Sequence, residues 1–363
     1  MEDAGAPDVN LAGADGDSFG PYRILRVLGE GGMGMVCFAD QSYPLERQVA
    51  LKVIKQGLNS TAILSRFNYE RHALALMDHS NIARVYDAGA SKNGRPYFVM
   101  EYVNGLPITQ YCDQQRLSIS ERLELFILVC QGLQHAHQKG VIDRDIKPSN
   151  VLVTEVEGLP VPKVIDFGIS RATEQSAAQT VAFTQFGQFI GTPEYMSPEQ
   201  ADLVTGDVDT SSDVYSLGVL LYELLIGAAP FDAHQLRKAG LTELLRIIRE
   251  EEAVPMTAKL AGMGNTVADL AARRSTDPAT LRRLISGDLN WIVMRAIEKD
   301  RRRRYPAASE LAADIRRHLD DQPVLVLPPT ITRKRSSRSP MLCSFKPSES
   351  KPVFWTPGIR LFF

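Results

Sequence analysis

The segment that decides the fold is Asp143-Arg144-Asp145-Ile146-Lys147-Pro148-Ser149-Asn150. This short loop holds a carboxylate, Asp145, an ammonium group, Lys147, and a carboxamide, Asn150. A carboxylate can accept the proton of a hydroxyl group, a lysine can neutralise a phosphate, and an amide oxygen can ligate magnesium. Any one of these residues alone is more often an ordinary turn or cap residue. Together they are typical of a site that handles phosphate.

A second acidic motif, Asp166-Phe167-Gly168, follows after a short predicted hairpin. Its aspartate is the candidate for the main magnesium ligand, with Asn150 as the other metal ligand. Chance produces both motifs in this order and spacing only rarely. The pair therefore favours phosphoryl transfer that depends on a divalent metal.

A glycine-rich stretch lies near the start of the chain, Leu28-Gly29-Glu30-Gly31-Gly32-Met33-Gly34-Met35-Val36. Glycines let a backbone approach phosphate oxygens because no Cβ stands in the way. The pattern alone is weak evidence, since a dinucleotide-binding turn carries similar glycines. That alternative requires a strand, a loop and then a helix, whereas residues 35–39 continue as a predicted strand. The stretch therefore predicts a phosphate-binding hairpin.

A lysine, Lys52, ends the apolar run Val49-Ala50-Leu51-Lys52 on the next predicted strand. Such a lysine usually faces solvent. Glu70, however, lies in the middle of a predicted helix over residues 65–77. An ion pair between the two would hold the lysine at the α- and β-phosphates of a nucleotide.

The overall composition is that of an ordinary globular chain, with 44% hydrophobic residues, 23% charged residues and a formal net charge of -2. This balance gives no reason to expect binding to nucleic acid or to a membrane.

The four cysteines show no C-x-x-C spacing, so we expect a reducing compartment, the cytoplasm. The longest apolar run, residues 217–231, is interrupted by Glu223 and predicts a buried core helix rather than a transmembrane segment. The N-terminus has no signal-peptide pattern.

Secondary-structure patterns divide the chain into regions. Short strands predominate from Tyr22 to about Val103, and helical periodicity beyond, including a helix from Ser120 to Gln138 capped by Ser120. Residues 1–21 are acidic and rich in glycine and alanine, which predicts a flexible leader. Residues 320–363 form a basic tail rich in serine and proline, for which we expect disorder.

These motifs resemble those of the eukaryotic-like (Hanks-type) Ser/Thr protein kinases, most closely of their bacterial branch. The resemblance covers about residues 22–319 and includes Gly191-Thr192-Pro193-Glu194-Tyr195-Met196-Ser197-Pro198-Glu199. It implies an α+β, bilobal protein-kinase-like fold, with a strand-rich N-lobe (22–103) carrying one regulatory helix and a mainly helical C-lobe (104–319). It also implies transfer of the γ-phosphate of Mg-ATP, with manganese as an alternative metal, to serine or threonine hydroxyls of proteins. Autophosphorylation on the activation loop is part of this expectation.

The resemblance assigns roles residue by residue. Asp145 matches the catalytic base, Lys147 the γ-phosphate ligand, and Asn150 and Asp166 the metal ligands, while Met100 matches the gatekeeper at the back of the pocket. The residues expected to contact ATP are Leu28, Gly29, Glu30, Gly31, Gly32, Met33, Gly34, Val36, Ala50, Lys52, Glu70, Met100, Glu101, Val103 and Leu152.

Other matched residues have structural or regulatory roles. The resemblance implies that Glu199 pairs with Arg304 and that Asp213 braces the catalytic-loop backbone. Thr184 matches the activation-loop phosphosite, and Arg144 would receive its phosphate. The alternative for this loop is that its hydroxyls are not modified.

One departure from the family concerns the His-Arg-Asp motif, in which Asp143 stands where relatives have histidine. A carboxylate offers no aromatic face to Phe167 and brings negative charge towards Asp145 and Asp166. We therefore expect Asp143→His to raise activity. The alternative is that backbone N–H groups satisfy Asp143, which would make the change neutral.

Two other functions are left open by the sequence. A pseudokinase that binds nucleotide as a scaffold fits the altered motif at Asp143, although the intact Lys52, Asp145 and Asp166 argue against it. A small-molecule kinase of related fold has no need of a peptide site such as Gly191–Glu199. Protein substrates are the expected partners, and the sequence leaves dimerisation undecided.

Overall fold

The computed structural model describes residues 19–31, 34–54, 77–167, 182–183, 189–190, 192–202 and 208–326. Its first part is one antiparallel sheet with the strand order β1-β2-β3-β5-β4. The strands are β1 Tyr22–Glu30, β2 Gly34–Gln41, β3 Arg47–Ile54, β4 Val85–Ala90 and β5 Pro96–Glu101. The strand-rich N-lobe is thus confirmed, whereas most of its predicted helix, with Glu70, lies outside the described residues.

The register of this sheet brings several predicted site residues onto one face. Val36 lies opposite Lys52, and Ala50 lies opposite Met100. Opposed residues share a face, and so do alternate residues of one strand. These four side chains therefore point to the same side of the sheet. The opposite face packs a small core that includes Leu51.

The rest of the described chain is mainly helical, which confirms the α+β class. Its helices are α1 Ile108–Gln114, α2 Ile119–Gln138, α3 Thr210–Ile226, α4 Ala233–Lys238, α5 Leu241–Glu250, α6 Met256–Gly262, α7 Thr266–Ala272, α8 Pro278–Leu284, α9 Asn290–Ala296 and α10 Ala308–Leu319. Short 3₁₀ turns occur at Pro148–Asn150, Pro193–Tyr195 and Arg301–Arg303.

The start of α2 differs from the prediction that Ser120 caps it. The hydroxyl of Ser118 accepts the amide N–H of Glu121 at 3.3 Å, and the carboxylate of Glu121 accepts the amide N–H of Ser118 at 2.8 Å. This reciprocal arrangement is a capping box, which requires a glutamate or glutamine three residues after the cap. Ser120 has Leu123 at that spacing, so the predicted cap was wrong by two positions.

The apolar run predicted as a core helix, residues 217–231, is helical as far as Ile226 and belongs to α3, in which nearly all side chains are buried. It ends at Ile226, where Gly227 has a φ of 76°. Glycine adopts this left-handed conformation without a Cβ penalty, which makes it a common helix terminator. None of the helices in the ranges given above combines the length and apolar character that a membrane span requires.

A second small sheet lines the helical side of the fold, with the order β6-β7-β8. Its strands are β6 Leu106–Pro107, β7 Val151–Val156 and β8 Leu159–Val164. Glu157 and Gly158 join the last two and have φ values of 53° and 79°. Positive φ at both positions suits the type I′ turn of a two-residue hairpin. The hairpin predicted between the two acidic motifs is therefore present. The strand pair β9 Ala182–Phe183 and β10 Phe189–Ile190 follows it.

The packed chain extends slightly past both domain limits expected from the sequence. Phe19 is buried, and its ring meets that of Tyr97 edge-on with centroids 5.5 Å apart. Val326 is also buried, and the amide of Leu325 donates to Asp314 at 2.9 Å. Phe19 and Val326 therefore pack on the described domain, although they lie outside the limits expected from the sequence. The rest of the expected leader and tail, 1–18 and 327–363, lies outside the described residues.

Candidate active site

A cleft of ≈ 670 Å³ lies between the five-stranded sheet and the helical lobe. Its size is within the range of small-molecule sites. All described members of the predicted catalytic and nucleotide set line it, namely Leu28, Gly29, Glu30, Gly31, Gly34, Val36, Ala50, Lys52, Met100, Glu101, Val103, Asp145, Lys147, Asn150, Leu152 and Asp166. The predicted Gly32, Met33, Glu70 and Thr184 lie outside the described residues. The cleft is also lined by Ile165 and Gln200, which the sequence did not single out.

The carboxylate of Asp145 is oriented by two residues of its own loop. The ammonium group of Lys147 lies 2.6 Å from Oδ2 of Asp145. The side-chain amide of Asn150 donates to the same oxygen at 3.0 Å and to the Asp145 carbonyl at 2.9 Å. The side chain of Asp145 is 49% exposed, so a hydroxyl group entering the cleft can reach it.

The backbone of this loop is anchored to α3. The buried carboxylate of Asp213 accepts the amide N–H groups of Asp143 at 2.9 Å and Arg144 at 2.8 Å. Its Oδ2 also lies 2.7 Å from Nε2 of His137, a residue to which the sequence assigned no role. Arg144 has a φ of 70°, a left-handed conformation that costs about 1–2 kcal/mol for a residue with a Cβ. The anchors hold it there, and Gln200 adds a hydrogen bond to the Arg144 carbonyl at 2.7 Å.

Asp143 has a contact that the sequence did not predict. Its Oδ1 accepts the amide N–H of Asp145 at 3.0 Å, and its side chain is almost fully buried. Among the described residues, its Oδ2 has no hydrogen-bond partner. Burial raises the pKa of Asp143 well above its ordinary value, and the negative charges of Asp213, Asp145 and Asp166 add to the rise. This geometry gives Oδ1 of Asp143 a backbone partner, as in the alternative, but it gives Oδ2 none among the described residues, so the gain expected from Asp143→His stays a prediction.

Lys52 and Asp166 meet at the back of the cleft. Nζ of Lys52 lies 3.0 Å from Oδ2 of Asp166, and both side chains are largely buried. Asp166 and Asn150 line the same cleft and offer the oxygen donors that magnesium prefers. Magnesium is commonly held by one or two protein side chains together with water and substrate phosphates. The donor set therefore fits a magnesium ion delivered with a nucleotide.

The described glycines of the glycine-rich stretch lie at the end of β1 and at the start of β2. The amide of Gly31 donates to the carbonyl of Gly34 at 2.8 Å. A Cβ at Gly34 would lie 2.1 Å from the carbonyl oxygen of Val53, so no larger residue fits there. Apart from the chain neighbours of each glycine, no atom of the described residues lies within 4 Å of a Cβ built at Gly29 or Gly31, which leaves room for phosphate. Because β2 pairs antiparallel with β1, the dinucleotide-binding alternative, which needs a helix here, is excluded.

The segment that joins the lobes is held by a lysine that the sequence did not reveal. The carboxylate of Glu101 lies 2.9 Å from Nζ of Lys163. It also accepts the amide N–H of Arg84 at 3.2 Å. These contacts turn the Glu101 side chain away from solvent and tie β5 to β8. No local pattern could have indicated the pair, since its members are 62 positions apart.

The expected ion pair between Glu199 and Arg304 is formed. It is bidentate, with Nη1–Oε1 at 2.6 Å and Nη2–Oε2 at 2.8 Å. The remaining N–H groups of Arg304 reach backbone carbonyls, those of Glu298, Lys299 and Ser211. Burial alone raises the pKa of Glu199, but the hydrogen bonds and charge of Arg304, with the hydroxyl of Ser212, hold it below its ordinary value.

A half-buried carboxylate, that of Glu223 on α3, lies under the segment that lines the cleft mouth. It accepts the hydroxyl of Tyr195, which is itself a cleft residue. Burial, with the charges of Glu194 and Asp113, raises the pKa of Glu223 to about 7. The sequence showed Glu223 only as an interruption of an apolar run.

This raised pKa predicts a pH-dependent effect of Glu223→Gln. The folded state holds the proton of Glu223 more tightly than the unfolded state does. Glu223 therefore contributes to the free energy of unfolding at acidic pH, and this contribution is lost as pH rises from about 4.5 to 7. Glutamine stays uncharged. We therefore expect Glu223→Gln to be more stable than the wild type at pH 8 by up to about 3 kcal/mol, and to match it near pH 4.5.

Urea unfolding at the two pH values measures this difference. Glu46→Gln, at an exposed position, is the control. Its stability should differ from that of the wild type by the same small amount at both pH values. A Glu223→Gln offset that does not change with pH would contradict the assignment.

The fold and the cleft define the class of protein, and comparison with known proteins agrees. The family model described as "Protein kinase domain" matches residues 22–314. The chain is 36% identical over 294 residues to the serine/threonine-protein kinase pkn2 of Myxococcus xanthus, covering 81% of this chain and 32% of that protein. It is 34% identical over 308 residues to the serine/threonine-protein kinase PknB of Mycobacterium tuberculosis, covering 83% of this chain and 43% of that protein.

Solved structures show the same likeness. The PknI kinase domain of Mycobacterium tuberculosis superposes with a TM-score of 0.55 at 26% identity, covering 82% of this chain and 96% of that one. The chain therefore belongs to the protein kinase family, with bacterial serine/threonine kinases among its relatives. It spans about a third to two fifths of the length of the two curated relatives.

Proposed function

We propose that this chain transfers the γ-phosphoryl group of ATP to serine or threonine hydroxyls of proteins. One observation carries the proposal. The carboxylate of Asp145, oriented by Lys147 and Asn150, lines the same cleft as the Lys52–Asp166 pair. A proton acceptor, two cations for phosphate and oxygen donors for a metal are the parts that phosphoryl transfer requires.

Each residue has a distinct task in this reaction. Asp145 orients the substrate hydroxyl and accepts its proton, while Lys147 neutralises charge on the transferred phosphoryl group. Lys52 binds the α- and β-phosphates. When bound by Asn150 and Asp166, magnesium or manganese would supply positive charge to the phosphate oxygens.

The nucleotide base would occupy the apolar part of the cleft. Leu28, Val36 and Ala50 would lie above the adenine, Leu152 below it and Met100 at the back, and all five residues line the cleft. Backbone groups of residues 101 and 103 would bind the edge of the adenine. This arrangement leaves the phosphates next to the glycine-rich hairpin and to Lys52.

The experiment that tests the proposal is incubation of the purified chain with labelled Mg-ATP and a generic basic protein, followed by mapping of phosphosites. Label on serine or threonine of either protein is expected, and label on neither would reject the proposal. A nucleotide-binding scaffold would bind ATP without transfer. Nothing in the described part of the chain favours that alternative, because the residues needed for transfer meet in one cleft.

Autophosphorylation is a second part of the proposal, with Thr184 as the first site and Arg144 as the partner of its phosphate. Support comes from the position of Thr184 between Asp166 and Glu199 and from Arg144 beside the catalytic carboxylate. Phosphopeptide mapping that finds Thr184 unmodified in fully active enzyme would contradict its assignment as the autophosphorylation site.

The metal assignment predicts the effect of Asp166→Asn. An amide keeps one oxygen donor but loses the negative charge, so the magnesium concentration for half-maximal transfer should rise by about tenfold or more. A magnesium titration of transfer at saturating ATP measures this. Asp209→Asn, at an α3 N-cap that pairs with Arg301, should show wild-type magnesium dependence. Unchanged dependence in Asp166→Asn would count against its role as a ligand.

The expected partners are protein substrates and ATP, and no nucleic acid is expected because the net charge is -2. We place the reaction in the cytoplasm, where ATP is available. The buried, unpaired Cys37, Cys112 and Cys130 are compatible with a reducing compartment. Dimerisation is left undecided.

A further inference from the structure

Three successive amide groups of the catalytic loop are each capped by an aspartate. Asp213 accepts the N–H groups of Asp143 and Arg144, and Asp143 accepts the N–H group of Asp145 through Oδ1 at 3.0 Å. A carboxylate that accepts the amide two residues ahead closes a small side-chain turn. The turn spans Arg144, whose left-handed backbone needs support from both sides.

We propose that Asp143 is a positioning residue for the catalytic base, acting through an uncharged side-chain acceptor that fixes the backbone of Asp145. The proposal rests on the proposed kinase function and extends it to a residue at which the chain departs from its family. Asp143 itself is expected to touch neither nucleotide nor substrate, since it is buried and does not line the cleft.

The uncharged state follows from the surroundings. Oδ2 of Asp143 is buried and has no hydrogen-bond partner among the described residues. Asp213 on α3 has His137 from α2 and two backbone amides as hydrogen-bond partners, so it is the better-paired carboxylate of the two. The negative charges of Asp145 and Asp166 also act on Asp143. A second negative charge here, without a donor of its own, is strongly disfavoured.

An asparagine matches a protonated aspartate in shape and keeps the Oδ1 acceptor. A leucine has the same branched outline, although it is bulkier, and it has no acceptor, so it leaves the part-buried amide of Asp145 without its partner. The Asp145 carboxylate would then be held less firmly at the point where it meets the substrate hydroxyl. Small displacements of a catalytic group lower turnover by as much as about a hundredfold.

A positioning role predicts that loss of the acceptor lowers kcat and leaves KM for ATP nearly unchanged. Asp143→Leu is expected to lower kcat by about 10- to 100-fold, with KM for ATP within about threefold of the wild type, because the nucleotide contacts lie on other residues. Asp143→Asn is expected to keep kcat within about threefold of the wild type. Single-turnover transfer and ATP titration measure both quantities.

A matched control separates this role from a general loss of stability. Asp314 is another buried aspartate that caps backbone, since its Oδ1 accepts the amide of Leu325 at 2.9 Å, and it lies on α10 away from the cleft. Asp314→Leu should lower the melting temperature yet keep kcat per folded molecule. If Asp143→Leu yields no folded protein, Asp143→Ala takes its place in the comparison.

Two results overturn the proposal. If Asp143→Asn lowers kcat as much as Asp143→Leu does, an uncharged acceptor is not what the loop requires. If the leucine variant keeps wild-type kcat, the Asp145 amide does not depend on Asp143. If the wild type transfers no more phosphate than Asp145→Asn does, the proposed kinase function itself fails. Failure of the positioning role is a different result, because it is seen only with a wild type that transfers phosphate.

Discussion

Replacing Asp145 by asparagine is expected to lower the rate of phosphoryl transfer by about 10²–10⁴-fold while ATP binding persists. The amide keeps the shape of the carboxylate and can still receive hydrogen bonds from Asn150. It cannot take a proton from the substrate hydroxyl, and it loses the charge that pairs with Lys147 at 2.6 Å. The loss therefore falls on kcat, because the residues expected to contact the nucleotide lie elsewhere in the cleft.

Single-turnover transfer together with calorimetric titration of ATP separates these two effects. Asp40→Asn is a suitable control, because that side chain pairs with Arg23 at the exposed surface of the N-lobe sheet at 3.2 Å. The control should transfer phosphate at the wild-type rate. An Asp145→Asn variant that retained most of its turnover would show that another group takes the proton.

Removing Arg304 is expected to produce the largest loss of stability in the described domain. Its five N–H groups all have acceptors, and its side chain is fully buried against Glu199. Arg304→Met leaves the carboxylate of Glu199 buried without its cation. Breaking a buried pair in this way lowers the free energy of unfolding by about 3–5 kcal/mol.

Chemical denaturation of matched variants tests this expectation. Arg302→Met removes an 85% exposed side chain that pairs with Asp300, and its effect should stay within about 0.5 kcal/mol. The double variant Glu199→Gln/Arg304→Met should cost less than the sum of its single changes, because no unpaired charge is left buried. A loss below about 1 kcal/mol for Arg304→Met would show that the pair is not a main support of the fold.

The site could be predicted from the sequence wherever its residues lie close together in the chain. Asp145, Lys147 and Asn150 share one loop, so their spacing alone brings a carboxylate, a cation and an amide into contact. The alternation of strand residues likewise places Ala50 and Lys52 on one face. The resemblance to protein kinases supplied the long-range pairs, such as Glu199 with Arg304, which are 105 positions apart.

Expectations were less successful where several weak local signals compete. Ser118 and Ser120 are both plausible helix caps, and only the glutamate three residues after Ser118 decides between them. The gain expected from Asp143→His stays a prediction, because Oδ1 of Asp143 has a backbone partner while Oδ2 has none among the described residues. The contact with the Asp145 amide depends on the left-handed backbone of Arg144, which no pattern of side chains revealed.

By itself, the sequence determined the motif residues, the division into a strand-rich part and a helical part, and the hairpin that carries the glycines, since each depends on neighbours a few positions apart. Only the tertiary structure decided the partners of charged groups that the resemblance had not assigned. His137 reaches Asp213 from 76 positions away, and Lys163 reaches Glu101 from 62. A buried polar group must find a partner wherever the fold brings one within about 3 Å, and that depends on packing rather than on position in the chain.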